Sequence, residues 1–295
     1  MPLDPHRTRH LAHGTRRKAR ALVALLPEGR PEVQRALEGL GKAALPALRA
    51  AAAGSEPLLR VRARGAMLAR QRRRAAARVA GYGLGLAPLA PDPVALERGL
   101  WLVDRFLDPD LDVRASRASL DVWGRELRAR IALRPPGARR ALQLVELLAG
   151  EIGFDGARSE PHHPHGASLA RTIERRMGLP LTLCVVYASV GQRAGLDAQL
   201  LPFPGHVLLE LRDGGDRLIV DAFDKGRLLT ERHCLAHLAR HGVPYRERWF
   251  TPASARDMLQ RQLHNLAHSL VQRGLQGEQS LLAAISAALS GPRDR

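Results

Sequence analysis

A short hairpin is the feature of this sequence that most restricts its fold. Asp213-Gly214-Gly215-Asp216 is typical of a two-residue loop between antiparallel strands. The segments on either side, Val207–Arg212 and Arg217–Ala222, are short and rich in leucine and β-branched residues, as strands are. We therefore expect an antiparallel pair in a definite register. With Gly214 and Gly215 as the loop, Arg212 pairs with Arg217, Leu208 with Asp221, and His206 with Phe223.

The same register brings a histidine and a carboxylate together. Asp221 becomes the diagonal neighbour of His206 on one face, within reach of a side-chain hydrogen bond. An imidazole held by a carboxylate is two parts of a nucleophile–base–orienter site, and the third part would be a thiol. Cys184 lies one turn into a helix predicted to begin at Pro180, where the helix N-terminus favours thiolate. Cys184, His206 and Asp221 are therefore the candidate catalytic residues. The other face of the hairpin is the expected core side and carries Val207, Leu209, Leu211, Leu218 and Val220.

The composition restricts the surroundings in which this chain works. It has 295 residues and only two cysteines. Two cysteines in so long a chain do not suggest a disulfide framework, so we expect a reducing, cytoplasmic location. No apolar run approaches the length of a membrane span, so a membrane partner is not expected.

The positive charge is concentrated near the N-terminus. The formal net charge is +17, and residues 1–90 contain 18 Lys and Arg against 5 Asp and Glu, a net charge of +13. Residues 91–295 contain 28 against 24, a net charge of +4. A strongly basic surface attracts polyanions at low salt. Nucleic acid is therefore expected as a partner only through the basic N-terminal region.

Helix-forming and strand-forming segments are separated along the chain. Residues 15–80 have the pattern of short helices, and residues 40–71 form either a HEAT-type pair or a plain helical hairpin. Residues 81–93 contain glycine and proline with almost no charge and are the expected linker. One small sheet between two helical regions makes the chain an α+β protein. Further helices are predicted near 93–106, 114–132, 137–151, 167–177, 180–194, 230–240, 253–273 and 277–290, and strands near 198–203, 206–212 and 217–223.

The sequence contains two groups of histidines that resemble metal ligands. Pro161–His165 is short, is flanked by prolines and has only Glu160 as a nearby carboxylate. His233, His237 and His241 recur every four residues on one predicted helix, but the glutamate of a zinc-binding His-Glu-x-x-His helix is missing. We therefore expect no metal and no cofactor, and interpret the second group as a solvated or helix-end stripe.

Several ordered motifs carry a family resemblance. They are Arg175–Leu183, Tyr187, Pro204–His206, Val220–Phe223 and Gly226–Leu229. Together they resemble the bacterial SirB-type branch of the transglutaminase-like superfamily, whose members are commonly named transglutaminase-like or tetratricopeptide-containing proteins. The resemblance covers about residues 92–290 and leaves out residues 1–85.

The resemblance implies a transglutaminase-like, or papain-like, core with a small antiparallel sheet flanked by helices on both sides. It divides the chain into four parts. These are a basic helical extension (1–85), a helical lead-in (92–150), the transglutaminase-like core (151–245) and a C-terminal helical tail (246–295).

Two functions remain open from the sequence. In the first, Cys184 attacks an amide carbonyl, His206 accepts and returns the proton, and Asp221 fixes the imidazole tautomer. The chain is then a thiol-dependent acyl transferase or amide hydrolase acting on a peptide or other amide. In the second, the same fold is a non-catalytic interaction module for a protein partner. The location of Cys184 separates the two, because the enzyme needs this thiol in an open groove facing His206.

Overall fold

The computed structural model of this chain describes residues 5–159 and 163–290. By its internal contacts the chain divides into two compact units, residues 1–74 and residues 75–295. Within the described ranges, no helix is long and apolar enough to cross a membrane.

The first unit consists of short helices around a small core. Proline lies in the first turn of each helix, where its missing N–H breaks no hydrogen bond. The core of this unit is made of eight small and medium apolar residues: Ala19, Val23, Leu26, Val33, Leu37, Ala44, Leu48 and Ala63. The helices are α1 (Pro5–Ala24), α2 (Pro31–Gly39), α3 (Leu45–Ala53) and α4 (Pro57–Gly85), of which α4 continues beyond this unit.

The predicted linker 81–93 begins inside a helix, because α4 ends only at Gly85. Its glycine and proline content had suggested a linker. Gly83 instead allows close packing, since a Cβ at this position would lie 2.5 Å from the side chain of Leu289. Only residues 86–92 connect α4 to the next helix.

Three helices lead into the sheet of the second unit. They are α5 (Pro93–Leu107), α6 (Arg114–Ile131) and α7 (Ala138–Val145), and α7 continues as a π-helical turn, Glu146–Glu151. The Asp92 carboxylate caps α5 by accepting from the N–H of Ala95 at 2.8 Å. These bounds agree closely with the predicted helices, since a 3.6-residue apolar period and an end cap are strong sequence signals.

The hairpin forms in the predicted register, with Arg212 opposite Arg217. It lies at the centre of a four-stranded antiparallel sheet in the order β3-β4-β5-β6. The last strand was not predicted, because three residues are too few to carry a period-two pattern. The strands are β3 (Asp197–Leu201), β4 (Leu208–Asp213), β5 (Asp216–Asp221) and β6 (Arg227–Leu229), and a separate parallel pair consists of β1 (Asp155–Gly156) and β2 (Met177–Gly178).

Both faces of the four-stranded sheet are buried, although the sequence indicated only one core side. The predicted core side packs on the central helix α9 (Pro180–Ala194). The other face is covered by α10 (Glu231–Arg240), which contributes Cys234 and Leu238 to a second cluster. The strands contribute Leu201, Leu208 and Ile219 to that cluster, and Phe203 joins it from the segment after β3.

Three further helices complete the second unit. They are α8 (Leu169–Arg175), α11 (Ala255–Val271) and α12 (Gln276–Ser290). We expected α8 to reach residue 177 and end at Gly178, but it ends at Arg175, and Arg176 adopts the left-handed conformation. Gly178 lies in β2, where a Cβ would come within 2.5 Å of Thr172. The chain is an α+β protein, as predicted.

Candidate functional site

His206 is carried by a tight turn, Phe203–His206, that leads into β4. The N–H of His206 donates to the carbonyl oxygen of Phe203 at 3.1 Å. Gly205 has a φ of 69°, which suits the third position of a type II turn after Pro204. From α11, the Arg261 guanidinium donates to the carbonyl oxygens of Phe203 (3.0 Å) and His206 (2.7 Å). The position of His206 is therefore fixed from within the turn and from α11.

The side chains of His206 and Asp221 are hydrogen-bonded, as the hairpin register led us to expect. Nε2 of His206 lies 2.8 Å from Oδ1 of Asp221. The same oxygen accepts from the backbone N–H groups of Phe223 (3.0 Å) and Asp224 (3.3 Å). Because a carboxylate can only accept, the Nε2 atom donates, and Nδ1 keeps the lone pair of a neutral ring.

Cys184 lies in the core, away from solvent. Its side chain has no exposed surface, and its thiol donates to the carbonyl oxygen of Val207 at 3.4 Å. Burial raises the pKa of the Cys184 thiol well above its ordinary value, as does the charge of Asp221, while the backbone N–H of Ala222 and Arg261 act in the opposite direction. Desolvation therefore outweighs the helix N-terminus that had suggested a thiolate. Cys184 and His206 both lie in the described part of the chain, and no hydrogen bond joins them.

A cleft of about 520 Å³ opens on the other side of the His206–Asp221 pair. The Phe203–His206 turn, β6 and α10 line it, and both members of the pair contribute to its wall. Cys234 also lines this cleft, whereas Cys184 does not. The pair therefore lines an open cleft, whereas Cys184 is enclosed in the core.

Sequence reasoning missed the importance of the α10 histidines. His233, His237 and His241 all line the cleft, together with Arg240. Their four-residue spacing was the available signal, since it places them on one helix face. No group of three described His, Cys, Asp or Glu side chains could hold a metal ion. Of the other histidine tract, residues 160–162 lie outside the described residues.

The helix that carries Cys184 is anchored by a buried ion pair. Arg193 of α9 donates to both carboxylate oxygens of Glu97 in α5, at 2.7 and 3.0 Å, and to Asp121 of α6 at 2.7 Å. Burial alone would raise the pKa of Glu97, but hydrogen bonds from Arg193 and Trp101 outweigh it, and the pKa is lowered. The network ties α5, α6 and α9 together.

A second buried carboxylate, Asp104, is held mainly from the backbone. Asp104 accepts from the backbone N–H groups of Leu169 (3.1 Å) and Ala170 (2.8 Å) at the start of α8. Burial raises the pKa of Asp104 to about 6, against the influence of these hydrogen bonds. One turn beyond Cys184, Tyr187 is fully buried and its hydroxyl has no partner among the described residues.

Known proteins resemble this chain over part of its length. A UPF0162 protein of Xylella fastidiosa is 27% identical over 191 residues, which cover 63% of this chain and 68% of that protein. A UPF0162 protein of Pseudomonas aeruginosa is 31% identical over 182 residues, 60% of this chain and 66% of that protein. F-box only protein 21 of mouse is 24% identical over 144 residues, 46% of this chain but 22% of that protein.

No solved structure is significantly similar to this chain. Residues 114–264, which run from α6 into α11 and include Cys184, His206 and Asp221, match the family described as the transglutaminase-like superfamily. This match extends over half of the chain and includes the whole four-stranded sheet. The chain therefore belongs to the transglutaminase-like superfamily.

Proposed function

We propose that this chain is a non-catalytic transglutaminase-like binding module, whose cleft beside His206 receives a segment of a partner protein. The observation that carries the proposal is the complete burial of Cys184. A catalytic thiol has to be ionised and accessible to the substrate. Cys184 meets neither condition, because burial raises its pKa and its thiol donates to the carbonyl oxygen of Val207. The open cleft lies on the opposite side of the His206–Asp221 pair.

The relatives agree with a modular use of this fold. The segment similar to this chain makes up 22% of F-box only protein 21, so the same kind of domain occurs as one part of a longer protein. From its motifs we further propose that the chain belongs to the SirB-type branch. We also propose the division into an extension (1–85), a lead-in (92–150), a core (151–245) and a tail (246–295).

The location and the role of the extension are proposals as well. Both cysteines are free and buried, which suits the reducing cytoplasm. The basic residues of the extension would give it a salt-sensitive attraction to nucleic acid.

A thiol acyl transferase or amide hydrolase is the second candidate. It is favoured by two backbone contacts of the Cys184 thiol. One is with Val207, next to His206, and the other is with Ala222, next to Asp221. In that case the thiolate sulfur forms a thioester with the acyl carbon, the amide C–N bond breaks, and His206 returns the proton to the leaving amine. Water or an amine then releases the acyl group. The Phe203–His206 turn would first have to move to admit the substrate.

Alkylation of Cys184 as a function of pH distinguishes these candidates. It is measured with iodoacetamide in the Cys234→Ser variant and in the same variant with His206→Ala. The binding module predicts slow labelling at neutral pH that does not change with His206→Ala. Fast labelling well below the ordinary thiol pKa of about 8.5, lost in His206→Ala, would contradict it and establish a thiolate–imidazolium pair.

A further inference from the structure

The cleft beside His206 combines an apolar floor with polar walls. The floor is formed by Phe203, Leu208, Leu229, Leu238 and Val243. Sites with this composition bury the apolar part of a ligand and orient it through a few polar groups. A small inorganic ion would leave this floor in contact with water, so the shape favours an occupant with an apolar body.

The polar walls of the cleft are basic. Arg227 and Arg240 lie in the wall, and Asp221 is the acidic residue among its lining. Asp221 is already engaged by His206 and two backbone N–H groups. Arg227 is only loosely paired, 3.6 Å from Asp224. Arg240 makes no ion pair or side-chain hydrogen bond within the described part of the chain. Two guanidinium groups are thus available to an incoming anion.

The hydrogen bonds of His233 and His241 leave different ring nitrogens available to a ligand. Nδ1 of His233 accepts from the N–H of Thr230 at 3.1 Å as part of a capping box, so the capped ring is neutral and its Nε2–H can donate. Nδ1–H of His241 donates to the carbonyl oxygen of His237 at 2.9 Å, so Nε2 of a neutral His241 ring can only accept. His241 can therefore donate to an anion from Nε2 only after gaining a proton.

We infer that this cleft binds a peptide segment that carries carboxylates on an apolar body, and that binding strengthens as His237 and His241 take up protons. The inference rests on the proposed function, in which the cleft receives a segment of a partner. A guanidinium binds a carboxylate with two parallel hydrogen bonds, which places the acidic side chains at the wall. The apolar side chains of the same segment then cover the floor.

The direction of the pH dependence follows from the charges around the two rings. Burial lowers the pKa of His237, and His241, His206 and Arg240 lower it further, while Asp221 acts in the opposite direction. A bound carboxylate attracts a protonated ring, so binding of the carboxylate and uptake of a proton favour each other. The charged and titratable groups around the cleft are His206 from the turn, Asp221 from β5, Arg227 from β6, His233, Cys234, His237 and Arg240 from α10, and His241 directly after α10.

Isothermal titration calorimetry of the full chain tests this inference. The probes are a capped hexapeptide of alternating leucine and glutamate, its twin with glutamine in place of glutamate, and inorganic phosphate. We expect the glutamate peptide to bind about tenfold more tightly at about pH 6 than at about pH 8, because one unit of pKa shift corresponds to a factor of ten. Repeating the titration in buffers of different ionisation enthalpy measures the proton uptake directly.

Two variants at matched positions of α10 locate the binding. Arg240→Gln should weaken the glutamate peptide by about two- to fivefold, the range of an exposed ion pair. Arg232→Gln removes the same charge from an exposed position outside the cleft lining and should leave binding unchanged. His241→Gln should reduce the proton uptake.

Three outcomes would overturn the inference. Equal binding of the glutamine twin would show that carboxylates are not selected, although a binding cleft would remain. Phosphate bound as tightly as the peptide would show a site for small oxyanions. If neither peptide bound, this cleft would not receive such a segment. None of these results depends on Cys184, so the alkylation experiment still decides separately whether the chain is non-catalytic.

Discussion

The His206–Asp221 pair lies between two regions with opposite chemistry. On the core side, α9 places Cys184 and Tyr187 among apolar residues, with no exposed surface on either. On the cleft side, α10 places histidines and Arg240 around an open cavity. Polar side chains therefore have different roles in the two regions. On the core side they hold helices in place, and on the cleft side they are available to a ligand.

Burial raises the thiol pKa of the cysteine in each region. Burial is the main cause of a raised thiol pKa at each, well above the ordinary value for Cys184 and to about 11 for Cys234. We therefore expect neither to be a reactive thiolate at neutral pH. The two regions therefore differ in their charged and imidazole groups. Substitutions of these groups test that difference.

The largest effect is expected on the core side, at Glu97. Glu97→Gln leaves Arg193 without its buried partner and should lower the free energy of unfolding by about 3 kcal/mol. Asp121→Asn removes the more exposed partner of the same guanidinium and should cost only about 0.5 kcal/mol. Urea unfolding monitored by circular dichroism measures both. Equal effects at the two positions would contradict the assignment of Glu97 as the anchor of α9.

Asp104 should make the stability of the core side depend on pH. Its folded pKa, about 6, is above the ordinary value of 3.8. The folded state therefore binds the proton more tightly, and the stabilisation is complete below the ordinary pKa and is lost as the pH rises through about 6. Relative to Asp104→Asn, the parent chain should gain about 1 kcal/mol on going from about pH 7 to about pH 5. Urea unfolding of both proteins at each pH measures this, and a constant difference would contradict it.

Tyr187 tests whether a polar group on the core side lacks a hydrogen-bond partner. Its buried hydroxyl has no partner among the described residues. Tyr187→Phe removes that unsatisfied group and should leave the protein as stable as the parent or more stable by about 1 kcal/mol. A loss of more than about 1 kcal/mol would mean that the hydroxyl bonds to a group such as a buried water.

The smallest effect is expected on the cleft side. Arg240→Gln removes an exposed charge with no partner in the described part of the chain, and surface substitutions of this kind change stability by less than about 0.5 kcal/mol. Thermal unfolding of this variant beside the parent measures the change. A large destabilisation would mean that Arg240 supports the fold, and the contrast between the two regions would fail.

Local signals in the sequence predicted much of the fold. The Asp-Gly-Gly-Asp turn fixed the register of Arg212 opposite Arg217, and through it the hydrogen bond between His206 and Asp221. Helix bounds followed from apolar periodicity and from prolines in first turns. These signals succeed because they depend on residues that are close in the chain.

Long-range packing accounts for what the sequence did not reveal. The depth of Cys184 depends on neighbours such as Val207, 23 residues away in the chain. The second buried face of the sheet exists because α10 covers it. The histidine stripe is solvated at His233 and His241, as interpreted, and it also lines a cleft that the sequence did not reveal. The roles of Cys184, His206 and Asp221 stay predictions.

The rate of Cys184 alkylation as a function of urea concentration tests the central claim, that this thiol is a core residue. In the Cys234→Ser variant, a thiol reached only by unfolding should be labelled at a rate that rises with urea as steeply as global unfolding does. We expect that slope. Labelling that is fast and independent of urea below the unfolding transition would contradict the claim, because it would mean that the folded protein exposes Cys184.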